Sequence, residues 1–167
     1  MLSLMRLDRW LLSSLSVVTR PTALDAVAEG KLPAGESDEV IFSFTPDIRR
    51  HMKEPAFWIT LEMTAKWPKK KPSRFDNISV CVQGFFSFPP DTSEATIRQY
   101  VPILCLTNLI GIARGLVAQA TAFCPGGAFI IPLIDANVVV RGLAAGNQAL
   151  SPGRLKNTPK KKRIRRS

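Results

Sequence analysis

The sequence predicts an α+β fold: a four-stranded antiparallel sheet with helices packed on one face, followed by a disordered basic tail. Three observations predict it. Segments whose apolar residues recur at every second position fill the first half of the chain, an amphipathic run at helical spacing follows them, and no strand–helix–strand alternation occurs. Without crossover helices the strands have no means of running parallel, so they pair antiparallel.

Taken in order, "RWLLSSLSVV" from Arg9 is the first strand, and residues 20–39, rich in Pro, Gly, Ala and acids, read as a long connection. "VIFSFT" is the second strand. In "FWITLEMTA", Phe57, Ile59, Leu61 and Met63 alternate with Trp58, Thr60, Glu62 and Thr64, a third strand with one buried face. "KWPKKKPSRFDN" is a basic hairpin loop with two prolines. From Ile78 to Phe88 the even positions are Ile, Val, Val, Gly, Phe and Phe, which makes a long strand with a bend expected at Gly84. Side chains alternate across a strand, so Phe85 must face away from Phe86 and Phe88, which leaves a phenylalanine on the side without helices, near Trp58.

The helices come next. Ser93 opens "SEATIRQYV", which Pro102 ends or kinks. The stretch "PILCLTNLIGIARGLVAQA" is apolar enough to raise the question of a membrane span. Projected at ~100° per residue it sorts into two sides. Ile103, Leu106, Leu109, Ile110, Ile112, Ala113, Leu116, Val117 and Ala120 fall on one side, and Thr107, Asn108, Arg114 and Gln119 with Gly111, Gly115 and Ala118 on the other. Arg114 near its middle would be costly in lipid, so the stretch is the main packing helix and no membrane insertion is expected. Gly111 and Gly115 form a G-x-x-x-G that lets another backbone approach. "CPGG" stops this helix, and "AFIIPLIDANVVVRGLA" carries a last one with Asp135 as N-cap.

With 167 residues, 46% of them hydrophobic, the chain suits one domain, residues 1–153, and a tail, residues 154–167. The tail "RLKNTPKKKRIRRS" holds eight of the 23 basic residues and no acid, leaving fifteen basic against thirteen acidic residues in the body. Such a run cannot collapse on itself and is expected to be a solvated extension that attracts polyanions. The odd count of three cysteines, without C-x-x-C spacing, fits a reducing compartment and a cytoplasmic location. Serines and Asp8 interrupt the apolar N-terminus, which argues against a signal peptide despite "AVA" at 26–28. No nucleophile elbow, phosphate loop or metal-ligand motif occurs, and the single His51 has no partner that would make it a base. No enzyme activity, cofactor or metal is therefore expected.

The order of pieces in "SVCVQGFFSFPPDTSEATIRQYVPILCLTNLIGIARGLVAQATAFCPGGAFIIPLI" resembles the SecB family of export chaperones and its SecB-like relatives, some of which serve toxin-antitoxin systems. The matching positions are Gln83, Gly84 and Phe86 at a strand end, Tyr100 and Pro102 at a crossover, Ala113 and Arg114 in the long helix, and Pro125, Gly126 and Gly127 at the following turn. The resemblance covers most of residues 40–142. It implies a homotetramer built as a dimer of dimers, with apolar grooves that hold unfolded client polypeptides, or an antitoxin, without ATP. Phe42, Phe44, Trp58, Phe86, Phe88 and Tyr100, with Phe129 and Ile131, are the groove candidates, assigned from alternation. The basic tail and slightly basic body depart from the acidic export members, which argues against docking to the SecA motor.

Two functions follow. The first is an ATP-independent holdase. The alternative is a nucleic-acid-associated protein that binds through Lys160, Lys161, Lys162, Arg163, Arg165 and Arg166 of the tail, with the body as an oligomerisation platform.

Overall fold

The structure, a computed structural model, describes residues 5–31, 39–52, 54–71 and 73–144. The predicted basic tail, Lys160 to Arg166 included, lies outside the described residues. Four strands, β1 (Arg6–Thr19), β2 (Ile41–Arg50), β3 (Ala56–Lys66) and β4 (Phe75–Ser87), form one sheet in the order β1-β4-β3-β2, with every pair antiparallel. The expected α+β fold, a four-stranded antiparallel sheet with helices, is thus present. Short hairpins join β2 to β3 and β3 to β4, whereas β1 returns to the far edge beside β4.

Register explains which residues are buried. On one face, Phe42 and Phe44 stand beside Ala65 and Met63, and Leu61 and Phe57 beside Val82 and Phe86. These side chains are buried with Leu106, Leu109, Ile110, Ala113 and Val117 of α3 (Leu106–Thr121) in one core. The helical residues are the apolar side of the predicted wheel, and Thr107, Asn108, Gly111, Gly115 and Gln119 are exposed, as the sorting requires.

Pro102 does not end the helix. α2 (Glu94–Tyr100) runs through a π-helical turn, Val101–Cys105, directly into α3, and the wider turn accommodates the proline, which has no N–H to donate. Ser93 caps the start by accepting from the Thr96 amide at 3.2 Å. The continuous helix Glu94–Thr121 is long and apolar enough to cross a membrane by length and composition alone. Here one side of it packs on the sheet.

The 20–39 connection needs a correction, because it contains a helix, α1 (Pro21–Ala28). Proline at its first position has the right φ for a helix start, and Ala23 provides its buried contact. The "CPGG" turn is also not the cap itself: α3 ends at Thr121 with Ala122 as C-cap, and the glycines act further on. α4 (Ala136–Ala144) follows Asp135, whose carboxylate accepts from the Asn137 amide at 2.8 Å.

Candidate functional site

The segment between α3 and α4 pairs with no strand, so local turn bonds, such as that from the Gly127 amide to the Cys124 carbonyl at 3.0 Å, and side chains satisfy its backbone groups. Thr121, buried at the end of α3, donates to the Val117 carbonyl at 2.7 Å and accepts from the Phe129 amide at 2.8 Å. Arg74 donates to the carbonyls of Pro125 at 3.2 Å and Gly127 at 2.9 Å. A Cβ on Gly126 would sit 2.6 Å from Arg74 Cδ, and its φ of +83° also demands glycine. Arg114 then donates to the Ile131 carbonyl at 2.9 Å.

Held at these points, the run 128–132 alternates, and the alternation breaks after Pro132, where Leu133 is exposed in the phase of the buried residues. Phe129 turns inward to Trp67 and Phe75, with ring centroids 5.1 and 6.2 Å away, and Ile131 is fully buried. Its neighbours turn outward: Ile130 is 62% exposed, Leu133 87%, and Phe123 in the preceding turn 93%. Arg74 also ties in α1, because its carbonyl accepts from the Arg20 amide at 2.9 Å. Arg20 itself is buried and donates to the carbonyls of Lys71 at 2.5 Å and Pro68 at 3.1 Å and to Asp76 Oδ1 at 2.7 Å. The exposed Leu24 and Val27 of α1 are therefore rooted on the same corner as the connector. The result is an apolar surface on a fixed frame, with large side chains displayed along an extended backbone.

The eight residues expected in a groove do not come together on a surface. Phe42, Phe44, Phe86, Phe88, Phe129 and Ile131 are buried in the core of the single chain. Tyr100 is half-buried where α2 meets the π turn. Trp58 is half-buried on the opposite face of the sheet, 6.1 Å from Phe85, the neighbour that alternation predicts. Sequence reading missed Phe123, Ile130 and Leu133. Ile130 had a signal in the period of two of "AFII", although which phase faces outward depends on where Thr121 and Arg114 fix the chain, whereas Phe123 lies outside that run and Leu133 falls in the phase of the buried Phe129 and Ile131.

A second cleft of about 570 Å³ opens at the other end of the sheet, lined by Arg50, His51, Met52, Pro55, Thr92 and Glu94 among others. Arg50 and Glu94 pair across it, and the guanidinium hydrogen bond holds the Glu94 carboxyl below its ordinary value. Burial pushes the Cys105 thiol up to about 12, so it is an inert core group that donates to Met5 Sδ at 3.3 Å. Among the described residues, no group of three His, Cys, Asp or Glu side chains could hold a metal ion.

No family model and no curated protein matches the chain. Solved structures do. The chain is similar to the SecB-like chaperone Rv1957 of Mycobacterium tuberculosis, solved in complex with a ChAD peptide from the Rv1956 HigA1 antitoxin. The TM-score is 0.56 at 10% identity, covering 78% of this chain and 90% of that one. A protein of unknown function from Streptococcus agalactiae aligns at a TM-score of 0.42 and 12% identity, over 77% of this chain and 97% of that one. With helices on one face of a β1-β4-β3-β2 sheet and a long helix crossing it, this chain has a SecB-like fold.

Proposed function

We propose that this protein is an ATP-independent chaperone that holds extended segments of unfolded polypeptide on the connector between α3 and α4. The observation that carries this reading is the exposure of Phe123, Ile130 and Leu133 on the connector, with Leu24 and Val27 exposed on α1. The backbone that carries them is held by the bonds from Thr121, Arg74 and Arg114, so a client that covers them has no loop to order. Full burial contributes about 1.5–3 kcal/mol for each such side chain, before the cost of ordering the client is subtracted. The core candidates Phe129 and Ile131 form the floor that aims these residues outward. The SecB-like neighbour that carries an antitoxin peptide supports a dedicated antitoxin as one client class, alongside nascent export proteins.

The same reading includes self-association and a cytoplasmic location. β1 is a fourteen-residue edge strand carrying exposed Trp10, Leu11 and Leu12, and an edge of that kind recruits another strand unless it is covered. A second copy paired along β1 would cover it and give the first step of a dimer of dimers. Three free cysteines suit a reducing compartment.

The test is aggregation of a denatured model client with the full chain at ~0.5 M salt, where attraction through the tail is screened. The chain should suppress aggregation at near-stoichiometric amounts. Phe123→Ser, Ile130→Ser and Leu133→Ser together should weaken client binding more than tenfold and leave the melting temperature unchanged. Undiminished suppression by this variant refutes the site, and no suppression by the parent chain refutes the function.

A further inference from the structure

We propose that the open face of the sheet binds single-stranded nucleic acid, with bases stacked on Trp58 and Phe85 between two arginines. Strand register sets four side chains in one row across the whole sheet. Arg9 of β1 stands opposite Phe85 of β4, Phe85 opposite Trp58 of β3, and Trp58 opposite Arg49 of β2. Three inter-strand spacings separate the Arg9 and Arg49 backbones by about 14 Å, and the Arg9 side chain folds inward over both rings, so a stacked base would displace its guanidinium toward a phosphate.

The row is already organised. The Trp58 and Phe85 rings lie 6.1 Å apart and tilted by 49°, and the Trp58 indole N–H donates to Gln83 Oε1 at 3.1 Å, which fixes its plane. The guanidinium carbon of Arg9 is 5.7 Å from the Trp58 centroid and 5.4 Å from that of Phe85. His51 meets the edge of Phe85 at 6.4 Å. Arg49 donates to the exposed Asp47 of its own strand at 2.7 Å, and such a pair is worth little in water and exchanges readily for phosphate.

The neighbouring rows decide the class of ligand. Leu11, Gln83, Thr60 and Asp47 lie in the next row, Ser14, Cys81, Glu62 and Thr45 in the one after, and Ser16, Ser79, Thr64 and Ser43 beyond that. Apart from Leu11 they form a polar floor, in contrast to the apolar display of the connector, and its two carboxylates, Asp47 and Glu62, confine phosphate to the arginine row. Aromatic rings on the open face of a four-stranded sheet, flanked by cations, are how single strands are commonly held. The chain's formal charge of +10, with eight basic residues at 154–167, adds long-range attraction of the same sign.

The experiment is fluorescence anisotropy of a labelled oligouridylate with the full chain at ~0.3 M salt, where non-specific tail binding is weakened. Trp58→Thr with Phe85→Thr keeps strand-forming residues and should weaken binding at least about tenfold, within the range for lost base stacking. Arg9→Ser with Arg49→Ser leaves the rings and the core alone, and should reduce the salt dependence by about one unit of slope per arginine. Both variants should hold unfolded client as the parent does, so failure of the holdase reading leaves this one standing. The proposal is overturned if both variants bind the oligonucleotide like the parent, since the tail then accounts for all binding. It is equally overturned if a duplex competes as well as the single strand, or if the aromatic variant loses client holding and keeps oligonucleotide affinity, which would make the face a peptide surface.

Discussion

Replacing Gly84 by alanine adds one methyl group where the buried face of β4 meets α3. The backbone there has no positive φ, so conformation alone favours the substitution, by about 0.4–1 kcal/mol through the unfolded chain. Space opposes it. The new Cβ would lie 2.6 Å from Phe86 Cε2, 3.0 Å from Phe86 Cζ and 3.0 Å from Leu109 Cδ2. The Leu109 methyl is the end of a flexible side chain and can turn away. The Phe86 ring is fully buried, and moving it disturbs the core it shares with α3. Overpacking of this kind costs about 1–3 kcal/mol. After the entropy gain, a net loss of up to about 2.6 kcal/mol remains, about 1.3 kcal/mol at the middle of both ranges, which lowers Tm by about 3–5 °C in a chain of this size. Urea and thermal melts of Gly84→Ala measure it. Because one ring causes the clash, Gly84→Ala combined with Phe86→Leu should cost less than the sum of the two, by about 0.5 kcal/mol or more. A Tm at or above that of the parent, or strict additivity, would refute the close approach of helix and sheet at this glycine.

Three other substitutions probe the frame. Arg20→Ala strips the donors from the carbonyls of Lys71 and Pro68 and from the half-exposed Asp76, and should destabilise the fold by about 1–3 kcal/mol in denaturant melts, with partial recovery in Arg20→Lys. Gly111 and Gly115 have open space where a Cβ would go, so alanine at each should stabilise the chain by about 0.5–1 kcal/mol. A loss of stability there, together with a smaller particle by light scattering, would mean that a second helix packs on them. The Glu94 carboxyl is held below its ordinary value by Arg50, so the support it gives is complete above the unfolded value near 4.5 and is lost as pH falls through the lowered one. Glu94→Gln should flatten the acid side of the Tm profile below about pH 4.5, and an unchanged profile would show that the pair does not stabilise the folded state.

The α+β class, the four strands, the packing helix with its buried side, and the start of α4 at Asp135 were all legible in the sequence. Each depends on the spacing of apolar residues along one segment, and a period of two or 3.6 persists whatever the segment packs against. Alternation also put Phe85 opposite Phe86 and beside Trp58. α1 was hidden in a composition typical of loops, because its stability comes from Arg20 reaching carbonyls some fifty residues away. The burial of most groove candidates was hidden for a related reason. Alternation divides a strand into two faces but does not say which is covered, and Phe42, Phe44, Phe86 and Phe88 lie on the covered one. Only the tertiary structure decided that Phe129 and Ile131 point in while Ile130 and Leu133 point out, through the bonds from Thr121 and Arg114. It also aligned Arg9, Phe85, Trp58 and Arg49, because a row across a sheet is set by register between distant segments and not by the sequence of any one of them.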